Sequence, residues 1–204
     1  MKIATWNVNS IRRRQDAVLA WAARHGVDVL LLQETKVTDA QFPRAPFDDA
    51  GWHLAIFGEA QRNGVAILAR TEITGVTNGL AGDDDDGQAR WIEGTVAGVR
   101  VVSVYVPNGT AVGSDKFAYK LAFFERMAAR LDAALEVETP LLVGGDYNVA
   151  PEPIDVCDPA GWEGGICFHI DERRGWRTLV NKGFTDAFRA LEPTTRAYSF
   201  WEHK

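Results

Sequence analysis

Apolar residues along this chain alternate between short runs of strand length and stretches at helical spacing. "KIATWNVN" predicts a first strand with Ile3, Thr5 and Asn7 on one face. A helix is expected from Ser10, a residue able to cap it, to about Arg24; Ile11, Val18, Trp21 and Ala22 give it an apolar stripe and Gly26 its stop. "VDVLLLQE" is nearly continuous in apolar residues, as a strand covered on both faces should be, and it places Glu34 on the side of Leu30 and Leu32. "WHLAIF", "GVAILAR", "ITGVT", "ARWIEGTV" and "VRVVSVYVP" are rich in β-branched and aromatic residues and read as further strands. Ser114 opens the clearest helix, along which Phe117, Leu121, Phe124, Ala128, Leu131 and Leu135 recur. "PLLVGGDYN" predicts a buried strand ending in a Gly-containing turn, and a loop from about 150 to 171 precedes a helix near "ERRGWRTLVNKG". Many strands with few long helices between them predict an α/β chain, two sheets packed face to face with helices outside, as one domain over residues 1–204.

Composition narrows the class. The length suffices for one sizeable core, and a net charge of −6 argues against a wholly electrostatic nucleic-acid binder while leaving room for a local basic face. Cys157 and Cys167 have no Cys/His cluster at zinc spacing around them and are expected as free thiols. "GDDDDG" reads as a solvated turn, because it lacks the alternating ligand spacing of a calcium loop. The N-terminus has no apolar leader core and no stretch reaches membrane-span length, so the expectation is a cytoplasmic protein that makes no use of a membrane, with a monomer as the default.

The chemical signal lies where polar residues meet strand ends. Asn7 ends the first strand, Glu34 ends "VLLLQE", Tyr105 and then Asn108 follow "VVSV", and Asp146 and Asn148 end "LLVGGDYN", sharing a face if the backbone there is extended. Singly, each has a structural reading: an Asn after a strand makes a turn, and an Asp after Gly-Gly caps one. Four such ends together suit a hard divalent cation, which takes one or two carboxylates and keeps waters and phosphate oxygens for its other positions. Glu34 with Asn7 fits that role. Asp146 fits the orientation or deprotonation of an attacking water, and Asn148, Asn108 and Tyr105 fit the charged oxygens of a phosphodiester. The four histidines are scattered and form no triad.

In order and spacing, "WNVNSIR", "LLQETK", "NGVAILAR", "YVPNG" and "GGDYNVAP" resemble the exonuclease III family, AP endonucleases within the endonuclease/exonuclease/phosphatase superfamily. The final "YSFW" agrees, so the resemblance runs from Met1 to Trp201. It implies a four-layer α/β sandwich of the DNase I-like kind. The implied activity is Mg²⁺- or Mn²⁺-dependent cleavage of double-stranded DNA 5′ to abasic sites, with 3′→5′ exonuclease and 3′-phosphatase activity at 3′ ends. By the same likeness Asn7 and Glu34 lie at the metal, Tyr105 at the phosphate, Asp146 at the water and Asn148 beside it. Arg90 and Asn108 match positions on the DNA backbone, and Phe200 an aromatic wall for the flipped-out abasic sugar. Arg12, Arg13 and Arg14 follow Asn7 closely, and with Arg62, Lys116 and Lys120 are candidate phosphate contacts, the competing reading of the triplet being a solvated helix face.

Family members continue past "YSFW" through segments resembling "G-x-R-I-D-H-x-L" and "S-D-H-A-P", which this chain lacks. The expectation is therefore a C-terminally incomplete domain, short of its last strands, with impaired turnover. Two alternatives stand beside the repair nuclease. One is a catalytically disabled module that binds abasic DNA. The other is a related metal-dependent phosphoesterase acting on RNA, a nucleotide or a phosphoinositide.

Overall fold

The computed structural model describes residues 1–81 and 87–199, so most of "GDDDDG", and Phe200 with the residues after it, lie outside the described residues. Contacts gather the chain into two compact units, Met1–Tyr105 with Val137–Tyr147, and Val106–Glu136 with Asn148–Lys204.

Among the described residues the first unit holds every strand. It runs β1 (Ile3–Asn7), α1 (Ile11–His25), β2 (Val29–Gln33), a 3-10 turn at Asp39–Gln41, α2 (Arg44–Asp49), β3 (His53–Phe57), β4 (Val65–Ala69), β5 (Ile73–Asn78), β6 (Trp91–Val96) and β7 (Val99–Tyr105), and then takes in β8 (Leu141–Asp146). One sheet has the order β1-β2-β4-β3 and the other β5-β6-β7-β8. The pairs β1/β2 and β7/β8 are parallel and the others antiparallel, so both sheets are mixed. Between them lies an apolar layer that includes Val29, Leu31, Ile67, Ile92 and Val101, all fully buried. A polar crossing is made by Gln33, whose Nε2 donates to Ser103 Oγ at 2.9 Å while that hydroxyl donates to the Leu32 carbonyl at 2.9 Å. The opposite face of the first sheet presents Leu30, Leu32, Ala66 and Leu68 to Ile11, Val18 and Ala22 of α1 and Phe47 of α2.

Several local expectations meet a physical obstacle. The side chain of Ser10 makes no cap; with φ at 92°, its N–H and that of Ile11 instead donate to the carbonyls of Glu34 (2.8 Å) and Thr35 (3.1 Å). Helix α1 is thus started by the loop after β2. Gly26 does stop it, in the left-handed conformation. Gly144 and Gly145 lie inside β8 rather than in a turn, because a Cβ on Gly145 would run into the Val104 carbonyl oxygen and one on Gly144 would come within 2.7 Å of Leu31 Cδ1. Helix α2, of six residues with Pro46 inside it, has too little periodicity to be predicted.

The second unit is helical: α3 (Asp115–Leu135), a 3-10 turn at Pro153–Asp155, α4 (Pro159–Trp162), α5 (Ile170–Asn181) and α6 (Ala187–Leu191). Here the serine cap forms, Ser114 Oγ accepting the Phe117 N–H at 3.2 Å. Helices α3 and α5 pack together, and Gly175 permits it, since a Cβ there would sit 2.9 Å from Phe124 Cγ. The buried side of α3 takes in Phe117, Phe124, Ala128 and Leu131 as expected but leaves Leu135 out and includes Lys120. Both cysteines are free thiols, Cys157 exposed and Cys167 buried. Among the described residues no helix is long and apolar enough to cross a membrane.

Candidate active site

Parallel pairing brings strand ends together. In register, Asn7 stands opposite Gln33 and Tyr105 opposite Asp146, so the C-terminal ends of β1, β2, β7 and β8 deliver Asn7, Glu34, Tyr105 and Asp146 within the first unit. Asn7 is the centre of the arrangement. Its Nδ2 donates to Glu34 Oε1 and to Asp146 Oδ2, each at 2.8 Å, and its Oδ1 accepts the Asn9 N–H at 3.1 Å. One amide thus holds two carboxylates on either side of its nitrogen.

Glu34 does not follow Leu30 and Leu32 to the helix side. It is the residue after β2 ends and its φ is 53°, left-handed, which breaks the strand alternation and turns the side chain toward Asn7 and Tyr105. A non-glycine residue held there carries strain on the order of 1–3 kcal/mol. Lys36 is left-handed as well (φ 56°), and its Nζ pairs with Glu34 Oε2 at 2.7 Å and donates to Asn9 Oδ1 at 2.6 Å. Burial alone would push the Glu34 pKa up. Hydrogen bonds from Asn7, Lys36 and Tyr105, with the charge of Lys36, outweigh it and hold the carboxyl below its ordinary value of 4.5. The phenol of Tyr105 is pushed well above its ordinary range, first by burial, then by the charge and hydrogen bond of Glu34, with Arg90 opposing and Asp146 adding. Arg90 lies over the Tyr105 ring, 4.8 Å from its centre, and its Nε donates to Gln88 Oε1 at 2.7 Å.

The donor set suits a hard cation. Two carboxylates and a neutral amide, all at strand ends, leave most coordination positions to water and phosphate oxygens, as Mg²⁺ prefers. Among the described residues no group of three or more His, Cys, Asp or Glu forms an all-protein cage.

Asn108 and Asn148 belong to the second unit. Asn148 has φ 47°, so the backbone after Asp146 is not extended and the two side chains do not share a strand face. The amide of Asn148 is held between partners: its Nδ2 donates to the Val106 carbonyl at 2.9 Å and its Oδ1 accepts Asn108 Nδ2 at 3.2 Å. Asn108 is exposed, with its Nδ2 also 3.5 Å from Cys167 Sγ and its Oδ1 accepting the Thr110 N–H. Lys120 corrects an expectation. Rather than reaching for phosphate it is fully buried in an ion pair with Glu172, and its Nζ donates to the main-chain carbonyls of Asn108 and Asn148. Arg12, Arg13, Arg14 and Lys116 are exposed, and Arg62 pairs with Glu59. Phe200 lies outside the described residues.

Lys36 and Lys120 are the contacts that sequence reasoning missed. For Lys36 a signal was present in "LLQETK", a lysine two places beyond a strand-end glutamate. For Lys120 the signal was its helical spacing from Phe117 and Phe124, although its partner is 52 residues away.

Comparison with known proteins places this geometry in company. The Endonuclease/Exonuclease/phosphatase family profile matches residues 4–202. The chain is 34% identical to the DNA repair nuclease APEX1 of Danio rerio, all of it aligning with 67% of that protein. It is 30% identical to an exodeoxyribonuclease of Bacillus subtilis, again over its full length and over 81% of the relative. Among solved structures, an AP endonuclease from Archaeoglobus fulgidus superposes with a TM-score of 0.94 at 39% identity, covering 100% of this chain and 79% of that one. The 3′ phosphatase NExo from Neisseria, solved with a product DNA hairpin, gives 0.92 at 38% identity, with 95% and 75% covered. The expected fold class, an α/β sandwich of two mixed sheets with helices, is the one these structures share with the chain.

Proposed function

The chain belongs to the Endonuclease/Exonuclease/phosphatase family, and on that premise we propose that it is a divalent-metal-dependent DNA-repair phosphodiesterase that incises duplex DNA 5′ to abasic sites and trims 3′ ends. Its relatives are named as DNA repair nucleases and exodeoxyribonucleases, which supports the nuclease class. The observation that carries the reading is the single Asn7 amide bonded to both Glu34 and Asp146, since it sets two carboxylates side by side at the strand ends.

In this reading Glu34, with Asn7 beside it, holds a Mg²⁺ or Mn²⁺ ion, which when bound supplies positive charge to the phosphate oxygens. Everything else is the work of side chains. Asn7 fixes the rotamers of both carboxylates, so that neither needs to reorganise as the substrate enters. Asp146 aligns the attacking water and takes its proton. The phenol of Tyr105 is protonated at neutral pH and its raised pKa extends that state well into the alkaline range, so it stays a donor directed at Glu34 and available to the phosphate region. Asn148 and Asn108 are assigned to the phosphodiester, and Arg90, stacked on Tyr105, to the DNA backbone. The reading of Phe200 as a wall for the abasic sugar stands on the "YSFW" likeness alone.

The test is incision of a duplex carrying one tetrahydrofuran abasic analogue, with Mg²⁺ or Mn²⁺ and with EDTA. Metal-dependent cleavage immediately 5′ to the lesion is expected. Tight binding without cleavage, unchanged by Glu34→Ala or Asp146→Ala, would return the disabled binding module. Faster hydrolysis of RNA or a free nucleotide would move the substrate class.

A further inference from the structure

Lys120 is a charged side chain buried completely, three residues after Phe117 and four before Phe124 on the buried face of α3. An ammonium has three hydrogens and needs three acceptors when water is removed. Lys120 finds them on three separate segments of the second unit: the carboxylate of Glu172 on α5, the Asn108 carbonyl at 3.0 Å and the Asn148 carbonyl at 2.6 Å. Glu172 extends the network. Its Oε1 accepts the Cys167 N–H at 3.1 Å and its Oε2 the His169 N–H at 3.0 Å, which ties down the chain that enters α5.

Both asparagines lie under this restraint. Asn148 sits at φ 47°, in the left-handed region that asparagine enters more readily than other non-glycine residues, and Lys120 fixes its carbonyl there. Asn108 is exposed and precedes Gly109, whose φ of 91° takes the loop close over Lys120; a Cβ on Gly109 would meet Lys120 Cδ at 3.2 Å. Lys120 holds the main chain of both, and the Asn108–Asn148 side-chain bond then has one geometry.

We propose that Lys120 is a positioning residue: its ammonium clamps the backbone of Asn108 and Asn148 so that the two amides meet the phosphodiester in a fixed arrangement. The proposal rests on the phosphodiesterase reading for its catalytic consequence, and its structural half can be measured without it. In the wild-type chain the Lys120 ammonium protons should exchange slowly and show through-hydrogen-bond coupling to the carbonyl carbons of Asn108 and Asn148 by NMR. An ammonium exchanging at the solvent rate overturns the clamp. In the double variant Lys120→Met/Glu172→Gln, which leaves no lone buried charge, amide exchange at Asn108–Thr110 and Asn148–Ala150 should rise by at least about tenfold. On abasic duplex, kcat should fall by at least about tenfold with KM within about threefold of wild type. The control is Leu131→Ala, a buried position about three turns further along α3 from Lys120, which should lose stability and keep kcat within about twofold. Equal kcat in the double variant and the control overturns the proposal, as does unchanged exchange in both segments. A wild type that does not cleave with metal defeats the phosphodiesterase reading instead, and the exchange measurements still decide the clamp.

Discussion

The phenol of Tyr105 donates a hydrogen bond to the carboxylate of Glu34, and each group moves the other's titration. The folded pKa of Glu34 lies below 4.5, so its contribution to stability is present above 4.5 and lost as the pH falls through the folded value. Tyr105 has the opposite sign. Its folded pKa is raised, so its contribution is complete below 10.0 and is lost as the pH rises beyond that. In metal-free buffer, Tyr105→Phe should lose less stability than wild type on both limbs, because it removes one bond that lowers Glu34 and the phenol itself. Urea unfolding across both pH windows checks this; parallel profiles for the two proteins would contradict it.

Gly145 gives the second prediction. A methyl group there would meet the Val104 carbonyl oxygen on the neighbouring strand, and that backbone is pinned by pairing on both sides of β7. A methyl on Gly144 meets only the end of the Leu31 side chain, which can rotate. Gly145→Ala should therefore cost about 3 kcal/mol and Gly144→Ala about 1 kcal/mol, the two ends of the range for overpacking a tight interior. Because β8 ends on Asp146, Gly145→Ala should also lose activity beyond what its stability predicts. Equal costs by chemical denaturation would sink the distinction.

Asp146→Asn preserves shape and the ability to meet Asn7 but removes the base. Cleavage should fall by about 10²–10⁴, the range for a lost general base, while affinity for an abasic duplex in Ca²⁺ stays near wild type. Single-turnover rates and fluorescence anisotropy separate the two. A rate within about tenfold of wild type would take the proton-transfer role from Asp146.

The strand-end residues were legible because they obey local rules. Ile3, Thr5 and Asn7 do share a face: Ile3 packs between the sheets, Thr5 bonds Gln33 and Asn7 reaches the carboxylates. Errors arose where a local rule was broken by something distant. Glu34 turns away from the Leu30 face because one left-handed residue ends the alternation, and strand periodicity carries no sign of that. Gly-Gly reads as a turn until the neighbouring strand shows why no Cβ fits. Lys120 reads as a surface cation because its counter-ion and both carbonyls are remote in sequence. Helical spacing puts Lys120 on the apolar side of α3, but the partners that let a charge be buried there are visible only in the fold.

Asp155 carries the last prediction. It is 2% exposed and accepts four hydrogen bonds. Arg189 Nη2 and Ser199 Oγ reach its Oδ1 at 2.5 and 2.8 Å, the Glu152 N–H its Oδ2 at 2.9 Å, and the Ser199 N–H its carbonyl at 3.2 Å. Arg189 also donates to the carbonyls of Thr195 (2.7 Å) and Ala197 (3.2 Å), so one ion pair straps the stretch from α6 to Ser199 onto the 3-10 turn. Asp155→Ala strands the Arg189 charge and should cost about 3 kcal/mol, as breaking a buried pair does. Asp155→Asn keeps an acceptor and should cost about 1–2 kcal/mol. Since the residues between Glu192 and Ser199 are almost all exposed and are tied down by this strap, Asp155→Ala should open them to protease before the rest of the chain unfolds. Urea titration with limited proteolysis and mass mapping reads both effects, and a variant as stable and as resistant there as wild type would show that the strap is held by something other than Asp155.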